Sequence, residues 1–366
     1  MKKLFQAKKA MFFTLIAILI VGLLVLTFST KIDIKIKGHL PVLERRITAV
    51  NTFVHDIENT YLERMLRISI LSAFNALRKE QGTFRDFLTR DEFEAVFAEL
   101  AINGTLDVDG EKKKILEDYN LNSMLKELAR ISKDELHVKS IFEPLSLNVF
   151  QNNETGPWNI GINFTINYFV DGDLAAWNRS SNIITQFSII GLEDPLYHYS
   201  SNQDLLEDVH KNIITADNFN DNWTIENFAL HVKGQTYRYD PKAPSYLLRL
   251  INDYNASSCC GIESMINLNN MVAEDNKNAT FVDYCYWSDI CIGEDYGNYI
   301  WTIEGDKFGK QNITYYGEER DALPEHEFYR FKLDTYHIGR YNLTEYTADL
   351  CKYDFTLQQW NGTGCV

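Results

Sequence analysis

The segment Trp158-Asn-Ile-Gly-Ile-Asn-Phe-Thr-Ile-Asn-Tyr-Phe-Val170 alternates between two kinds of position over thirteen residues. Successive side chains of a β-strand point to opposite faces, so the apolar set from Trp158 to Val170 lies on a core and the Asn-bearing set lies in water. Strands of parallel sheets are apolar on both faces, whereas strands of antiparallel sheets have this one-sided character. We therefore predict an antiparallel sheet, with further strands at 145–149 and 182–190.

A long amphipathic helix is predicted before this sheet. Residues 42–81 contain no Pro or Gly, and Gly82 is expected to end the helix. Apolar residues repeat along it at spacings of three and four: Leu43, Ile47, Val50, Val54, Ile57, Tyr61, Met65, Ile68 and Leu71. The helix either forms a coiled-coil seam with another chain or packs on its own domain. Its second half has a broader apolar face, formed by Ile70, Leu71, Phe74 and Leu77, which favours packing on its own domain.

Shorter helices are predicted between 84 and 137. Thr89-Arg-Asp-Glu has the spacing of a capping box, and 120–131 is predicted as a second helix. Asp107-Val-Asp-Gly contains part of a calcium-loop pattern without its remaining ligands, and it is predicted as a turn.

Residues 11–29 form an apolar run of nineteen residues without a charge. A helix of this length rises roughly 28 Å, close to the thickness of a bilayer's hydrocarbon core. The lysines before it place the N-terminus in the cytoplasm and 31–366 outside the cell by the positive-inside rule. We predict one transmembrane helix and a cell-surface location. A cleaved secretory signal peptide and a permanent, uncleaved anchor are both alternatives.

The junction Lys8-Lys9-Ala10-Met11-Phe12-Phe13-Thr14-Leu15-Ile16 resembles the processing site of archaeal type IV pilin-like proteins. The resemblance implies that a basic leader, 1–10, is cut between Ala10 and Met11, and that the retained helix associates with its copies. Leu15 stands where many bacterial pilins have Glu. Two further segments, Gly191-Leu-Glu-Asp-Pro-Leu-Tyr197 and Cys260-Gly-Ile-Glu-Ser264, look like parts of uncharacterised archaeal pilin-like surface proteins. The pilin plan is a long helix laid on an antiparallel meander.

The composition is that of an acidic, folded chain. It has 366 residues, is 45% hydrophobic and has a formal net charge of −15. The N-terminal thirty residues contain lysines and no acids, so the predicted exterior part is more acidic still. Such a surface repels phosphate backbones, which argues against nucleic-acid binding.

Asn-x-Ser/Thr sequons occur about three times more often than chance would give, and all lie in the predicted exterior part. They predict N-linked glycans at Asn103, Asn153, Asn163, Asn178, Asn222, Asn255, Asn278, Asn312, Asn342 and Asn361.

Six cysteines lie in the last third of the chain: Cys259, Cys260, Cys285, Cys291, Cys351 and Cys365. An even number in an exported region predicts three disulfides. Neighbouring Cα atoms are 3.8 Å apart, below the usual span of a disulfide, so Cys259 and Cys260 are expected to take different partners. Zinc is disfavoured because the sequence has no Cys-x2-Cys pair and no nearby His.

Motifs of catalysis and of cofactor binding are not found. The chain has no Gly-x-Ser-x-Gly, P-loop, dinucleotide fingerprint or His-Glu-x-x-His, so no cofactor or metal is expected. Asp171-Gly172-Asp173 follows the long strand, where an Asp-x-Asp motif can hold a metal on a nucleotide sugar. That motif usually ends a strand that is apolar on both faces, so a hairpin turn is favoured here.

These observations predict an α+β protein: a single N-terminal transmembrane helix, a long amphipathic helix packed on an antiparallel β-sheet, and a loop-rich, disulfide-bonded C-terminal module. The predicted order is leader (1–10), transmembrane helix (11–29), helical stalk (30–82), helical and sheet ectodomain (83–240) and C-terminal module (241–366). Within the last two, 228–239 is predicted as a hairpin and 245–254 as a short helix.

The predicted function is that of a non-enzymatic cell-surface protein, a pilin-like filament subunit or adhesin. Its expected partners are the membrane through 11–29, other copies of the chain through the N-terminal helix, and N-linked glycans. The alternatives are a single-pass, receptor-like binding ectodomain and a membrane-anchored glycosyltransferase that uses Asp171 and Asp173.

Overall fold

The structure is a computed structural model. It describes residues 20–21, 44–84, 89–108, 110–173, 175–198, 214–215, 223–224, 227–228, 231–232, 236–267, 279–291, 293, 295–297, 299–304, 312–315, 318–321, 330–347, 352–354 and 359–361.

The helices of these stretches are α1 (44–84), α2 (Arg90–Asn103), α3 (Leu121–Leu136), α4 (Tyr246–Leu250), α5 (Asp283–Trp287) and α6 (Thr335–Arg340). The strands are β1 (Thr105–Val108), β2 (Glu111–Lys114), β3 (Lys139–Phe150), β4 (Asn159–Asp171), β5 (Ala176–Ser188), β6 (Arg238–Tyr239), β7 (Ile262–Glu263), β8 (Met265–Asn267), β9 (Ala279–Val282), β10 (Tyr299–Glu304), β11 (Asn312–Tyr315), β12 (Glu318–Asp321), β13 (Arg330–Asp334), β14 (Lys352–Asp354) and β15 (Gln359–Asn361). The protein is α+β with antiparallel sheets, as the sequence predicts.

The chain divides into two compact units. The first comprises Met1–Arg64, Lys126–Glu143 and Asn167–Ser180, and the second comprises Met65–Leu125, Pro144–Ile166 and Ser181–Val366.

In the first unit, α1 packs on strands β4 and β5. The hydroxyl group of Tyr168 donates a hydrogen bond to Glu58, and Arg179 lies 3.2 Å from the same carboxylate. Arg46 donates to Asp173 at 2.7 Å. Beneath these polar contacts lie the buried side chains of Val50, Phe53, Val54, Ile57, Leu62 and Val170.

In the second unit, Phe74 of α1 is the centre of an aromatic cluster. Its ring centroid lies 4.6 Å from that of Phe97 in α2, 5.6 Å from that of Phe187 in β5 and 6.0 Å from that of Tyr246 in α4. Aromatic pairs at these spacings add to the stabilisation from apolar burial. The cluster joins two helices to the sheet and to the start of the C-terminal part.

Helix α1 contains a π-helical turn at Ile57–Tyr61, closed by a hydrogen bond from Leu62 N to Ile57 O. The extra residue of this turn moves the buried face by one position. Beyond Ile57, the predicted Tyr61, Ile68 and Leu71 are exposed, whereas Ile70, Phe74 and Leu77 of the predicted broader apolar face are buried. Leu62, Leu66 and Ala73 are buried as well. The helix also continues through Gly82 to Phe84.

Local signals between α1 and the sheet are confirmed. Thr89 Oγ1 accepts from Glu92 N, and Glu92 Oε2 accepts from Thr89 N at 2.7 Å, which makes the predicted capping box. The helix predicted at 120–131 extends to Leu136. Asp107 lies in the β1–β2 hairpin, where its carboxylate accepts from Gly110 N at 2.9 Å.

The sheet β3-β4-β5 contains the long strand that the alternation predicted. Ile160, Ile162, Phe164, Ile166, Tyr168 and Val170 are all buried. The opposite face of β4 is half-buried instead of fully solvated, and Asn163 Oδ1 has no access to solvent. Asp171 and Asp173 flank the turn to β5, in which Asp171 Oδ1 accepts from Asp173 N at 3.0 Å. The predicted hairpin turn is therefore confirmed.

The C-terminal part is more regular than a loop-rich module. Six strands form one sheet in the order β15-β14-β10-β13-β9-β8, in which β9 and β13 are parallel and the other pairs are antiparallel. The hairpin predicted at 228–239 is wrong: the described residues 227–228 and 231–232 are helical, and β6 pairs with β7. The helix predicted at 245–254 is present but shorter, with Ser245 as its N-cap.

The predicted fold class needs one correction. Among the residues that the structure describes, no helix is both long enough and apolar enough to cross a membrane, so the fold class with a transmembrane helix is wrong. Of the proposed segment 11–29, only Ile20 and Val21 fall within the described residues, and both are helical. The prediction of a transmembrane helix was based on the apolar run at 11–29.

Candidate functional site

A shallow cleft lies in the second unit between α2, the end of β3 and α4. It encloses about 450 Å³ including its open mouth. The residues that line it are Phe93, Glu94, Val149, Gln151, Ser245, Leu247, Leu248, Ile251 and Ser257. The lining is apolar apart from one carboxylate, one amide and two hydroxyl groups.

Two of the polar side chains in the cleft hold its walls together. Gln151 Oε1 accepts from Leu247 N at 3.1 Å, and its Nε2 donates to the carbonyl oxygen of Asn159 at 3.2 Å. Ser245 Oγ accepts from Leu248 N at 3.3 Å and caps α4. These groups position the cleft and already have hydrogen-bond partners.

Cys259 and Cys260 lie next to this cleft and contradict the predicted pairing. Their Sγ atoms are at disulfide distance, 2.18 Å, across Cα atoms 3.7 Å apart. The prediction excluded this pair because most disulfides span a longer Cα distance. Here the backbone turns tightly, since Cys260 N and Gly261 N both donate to Ser257 O. A side chain at Gly261 would clash with two carbonyl oxygens, so glycine is required there.

Cys285 and Cys291 form a second pair at disulfide distance, with an Sγ–Sγ separation of 1.92 Å. Together with Asp334 they are the group of potential metal ligands found among the described residues, with ligand atoms within 4.8 Å of one another. A sulfur atom in a disulfide is no thiolate ligand, so the oxidised pair does not fit a metal. Cys351 and Cys365 lie outside the described residues.

Arg249 of α4 is fully buried and joins segments that are distant in sequence. Its Nη1 lies 2.6 Å from Asp194 Oδ2 and 2.8 Å from Asp283 Oδ2, and its Nη2 donates to the carbonyl oxygen of Ile262. Burial alone would lower the pKa of Arg249, but the two carboxylates raise it. Burial raises the pKa of Asp283 to about 6, although Arg249 opposes the shift. Two segments that are distant in sequence, 191–197 with Asp194 and 260–264 with Ile262, therefore meet at this guanidinium group.

His337 of α6 lies between two buried carboxylates. Its Nδ1 is 2.5 Å from Asp334 Oδ2, and its Nε2 is 3.1 Å from Glu263 Oε2. Burial alone would lower the pKa of His337, but Asp334 and Glu263 raise it to about 10. Burial would raise the pKa of Glu263, but His337 and then Arg238 lower it to about 2. The imidazolium is thus held charged inside the core.

This buried charge cluster is defined by Arg238, Arg249, Asp194, Asp283, Glu263, Asp334 and His337, each with at most 3% of its surface exposed. General acid–base catalysis requires a group within reach of a substrate proton. The cluster members instead bind one another, which suits a structural role. Sequence reasoning missed them, although Asp194 and Glu263 lie within the two segments that carried the resemblance.

The predicted modification sites are dispersed. Asn103, Asn153, Asn178, Asn255 and Asn342 are exposed, whereas Asn163 is half-buried. The side chains of Asn222, Asn278, Asn312 and Asn361, and the junction of Ala10 and Met11, lie outside what the structure describes. Comparison of the chain with known protein families, with curated proteins and with solved structures finds no match.

Proposed function

We propose that this chain is a non-enzymatic, exported cell-surface protein, a filament subunit or adhesin of the pilin-like kind. The observation that carries the proposal is the buried charge cluster. Its members, among them His337 with a raised pKa and Glu263 with a lowered pKa, are bound to one another in the core. Clusters of groups with shifted pKa values usually mark active sites when they open into a cleft. The members of the buried charge cluster instead bind one another in the core, which suits a structural role.

Export is supported by the cysteines and the sequons. Two cysteine pairs lie at disulfide distance, and disulfides persist mainly in oxidising compartments. Five sequon asparagines are exposed, as glycosylation requires. The pilin-like kind is supported by the packing of a long helix on antiparallel strands, which occurs within each of the two units.

Processing of the leader tests this proposal most directly. Cells should export a protein that begins at Met11, whereas a Lys9→Glu variant, with an altered leader charge, should keep residues 1–10. Intact-mass spectrometry of both purified proteins measures the difference. Masses showing that both proteins begin at Met1 would contradict the pilin-like kind.

Glycan occupancy tests the exported state independently. Peptide mapping of protein from the native cells should find glycans at Asn153, Asn178 and Asn255, which are exposed. Asn163 serves as the internal control, because its half-buried amide in β4 should remain unmodified. Unmodified asparagine at all four positions would count against export through a glycosylating pathway.

A further inference from the structure

We propose that Cys259 and Cys260 form a reversible thiol–disulfide exchange site, which a dithiol reductant opens while the surrounding segment stays folded. Three features of the pair support this assignment: the different burial of the two cysteines, the small loop that their bond closes, and the hydrogen bonds of the surrounding backbone.

The two cysteines differ in accessibility. Cys259 is partly exposed, whereas Cys260 is fully buried, and its Sγ lies 3.2 Å from the carbonyl oxygen of Asn152. An attacking thiolate needs direct access to the sulfur with which it forms a bond. The sulfur of the partly exposed Cys259 is therefore the point of attack, and the buried Cys260 supplies the leaving thiolate.

The exchange takes place in two steps. A thiolate of the reductant bonds to Cys259 Sγ, the bond between the two protein sulfurs breaks, and Cys260 Sγ leaves as a thiolate and takes a proton. The second thiol of the reductant then attacks the mixed disulfide, releases Cys259 and closes the reductant's own disulfide. The protein gains two electrons and two protons, and the dithiol is oxidised.

The fold around the pair does not depend on this bond. Gly261 O accepts from Asp240 N at 3.1 Å, and Ser257 N donates to Ala243 O at 2.9 Å. The hydroxyl group of Tyr239 donates to Ser258 O at 2.6 Å. A disulfide stabilises mainly by closing a loop of the unfolded chain, and adjacent residues close the smallest loop possible. Reduction should therefore leave the segment folded.

Cys285 and Cys291 provide the comparison within the same protein. They are six residues apart; Cys285 is partly exposed, as Cys259 is, and 5% of Cys291 is exposed. The two pairs are therefore similar in accessibility, and the Cys285–Cys291 bond closes the longer loop. Loss of the Cys285–Cys291 bond should therefore lower the stability more than loss of the Cys259–Cys260 bond does.

The experiment treats the folded, full-length protein with limiting dithiothreitol, alkylates the free thiols at intervals and maps the peptides. The Cys259–Cys260 bond should open in the folded protein. The near-ultraviolet circular dichroism should stay unchanged while that bond opens. A Cys259–Cys260 bond that resists the reductant until the protein unfolds, or loss of the spectrum together with the first thiols of this pair, would overturn the proposal.

Two single variants test the direction of attack. In a Cys260→Ser protein, the free thiol of Cys259 should react readily with iodoacetamide in the native state. In a Cys259→Ser protein, the free thiol of Cys260 should react at least about tenfold more slowly, because it is buried. In denaturant, the free thiols of the two variants should react with iodoacetamide at the same rate. Equal native rates would contradict the assignment of Cys259 as the attacked sulfur.

Discussion

His337 has a charge that the folded protein stabilises and the unfolded chain does not. Its pKa is raised from an ordinary value of 6.5 to about 10. The stabilisation is therefore complete below pH 6.5 and is lost as the pH rises through about 10. Glu263 has the opposite pH dependence, because its pKa is lowered to about 2. Its contribution to the stability of the folded protein is present above its ordinary pKa of 4.5 and is lost as the pH falls through about 2.

We predict that replacing His337 removes the pH dependence between pH 6.5 and 10. The unfolding free energy of the wild type should fall across this range by up to about 1.4 kcal/mol per pH unit, and that of His337→Asn should fall much less. Urea titrations at several pH values measure both slopes. His55→Asn is the matched control, because His55 is 74% exposed and should keep the wild-type slope. A His337→Asn slope equal to that of the wild type would show that the imidazolium contributes nothing.

At the scale of the element, the π-helical turn at Ile57–Tyr61 keeps two parts of α1 in phase with their cores. Each residue of an α-helix turns the chain by about 100°, so one extra residue must be absorbed within the turn. Deleting Asn59, which is exposed, should convert the turn into regular α-helix and keep Ile57 and Leu62 on one face. We expect the unfolding free energy to change by no more than about 1 kcal/mol.

Deleting Asn75 is the matched control, because it is also an exposed asparagine of α1 but lies in a regular α-helical part. The deletion rotates the following residues and takes Leu77 away from its buried position. We expect the unfolding free energy to fall by about 2 kcal/mol or more, because the apolar side chain of Leu77 becomes exposed. Thermal unfolding measures the stability of the two deletion variants. Equal losses of stability would mean that the π-helical turn does not determine which residues of α1 face the core.

At the scale of the whole molecule, Arg249 organises the second unit by holding segments that are far apart in the chain. Arg249→Met leaves Asp194 and Asp283 buried without their cation, which typically costs about 3–5 kcal/mol. A loss of this size is a large part of the stability of an ordinary domain. We therefore expect a greatly lowered urea midpoint. The difference between the two midpoints should become smaller as the pH falls and Asp283, whose pKa is raised to about 6 by burial, becomes protonated.

The control for this prediction is Arg130→Met. Arg130 also bonds two carboxylates, those of Glu127 and Asp134, but all three side chains are exposed. Exposed ion pairs contribute little, so this variant should unfold close to the wild-type midpoint. Similar midpoints for the two arginine variants would refute the organising role of Arg249.

The sequence by itself determined the features that depend on near neighbours. The strand from Asn159 to Asp171 follows from its alternation, the cap at Thr89 from a spacing of three residues, and the turn at Asp171–Asp173 from its Asp and Gly residues. Each of these is decided by backbone geometry and side chains within one turn or one strand. The existence of α1 was predictable for the same reason.

Only the tertiary structure decided which of the apolar residues of α1 predicted beyond Ile57 are exposed, how the cysteines pair, and where the charges of the core lie. Arg249 meets Asp194 and Asp283 across 55 and 34 positions, and His337 meets Glu263 across 74. No local pattern encodes such contacts, because a buried charge is stable only when a distant segment supplies its partner. The same packing leaves Cys259 partly exposed and buries Cys260.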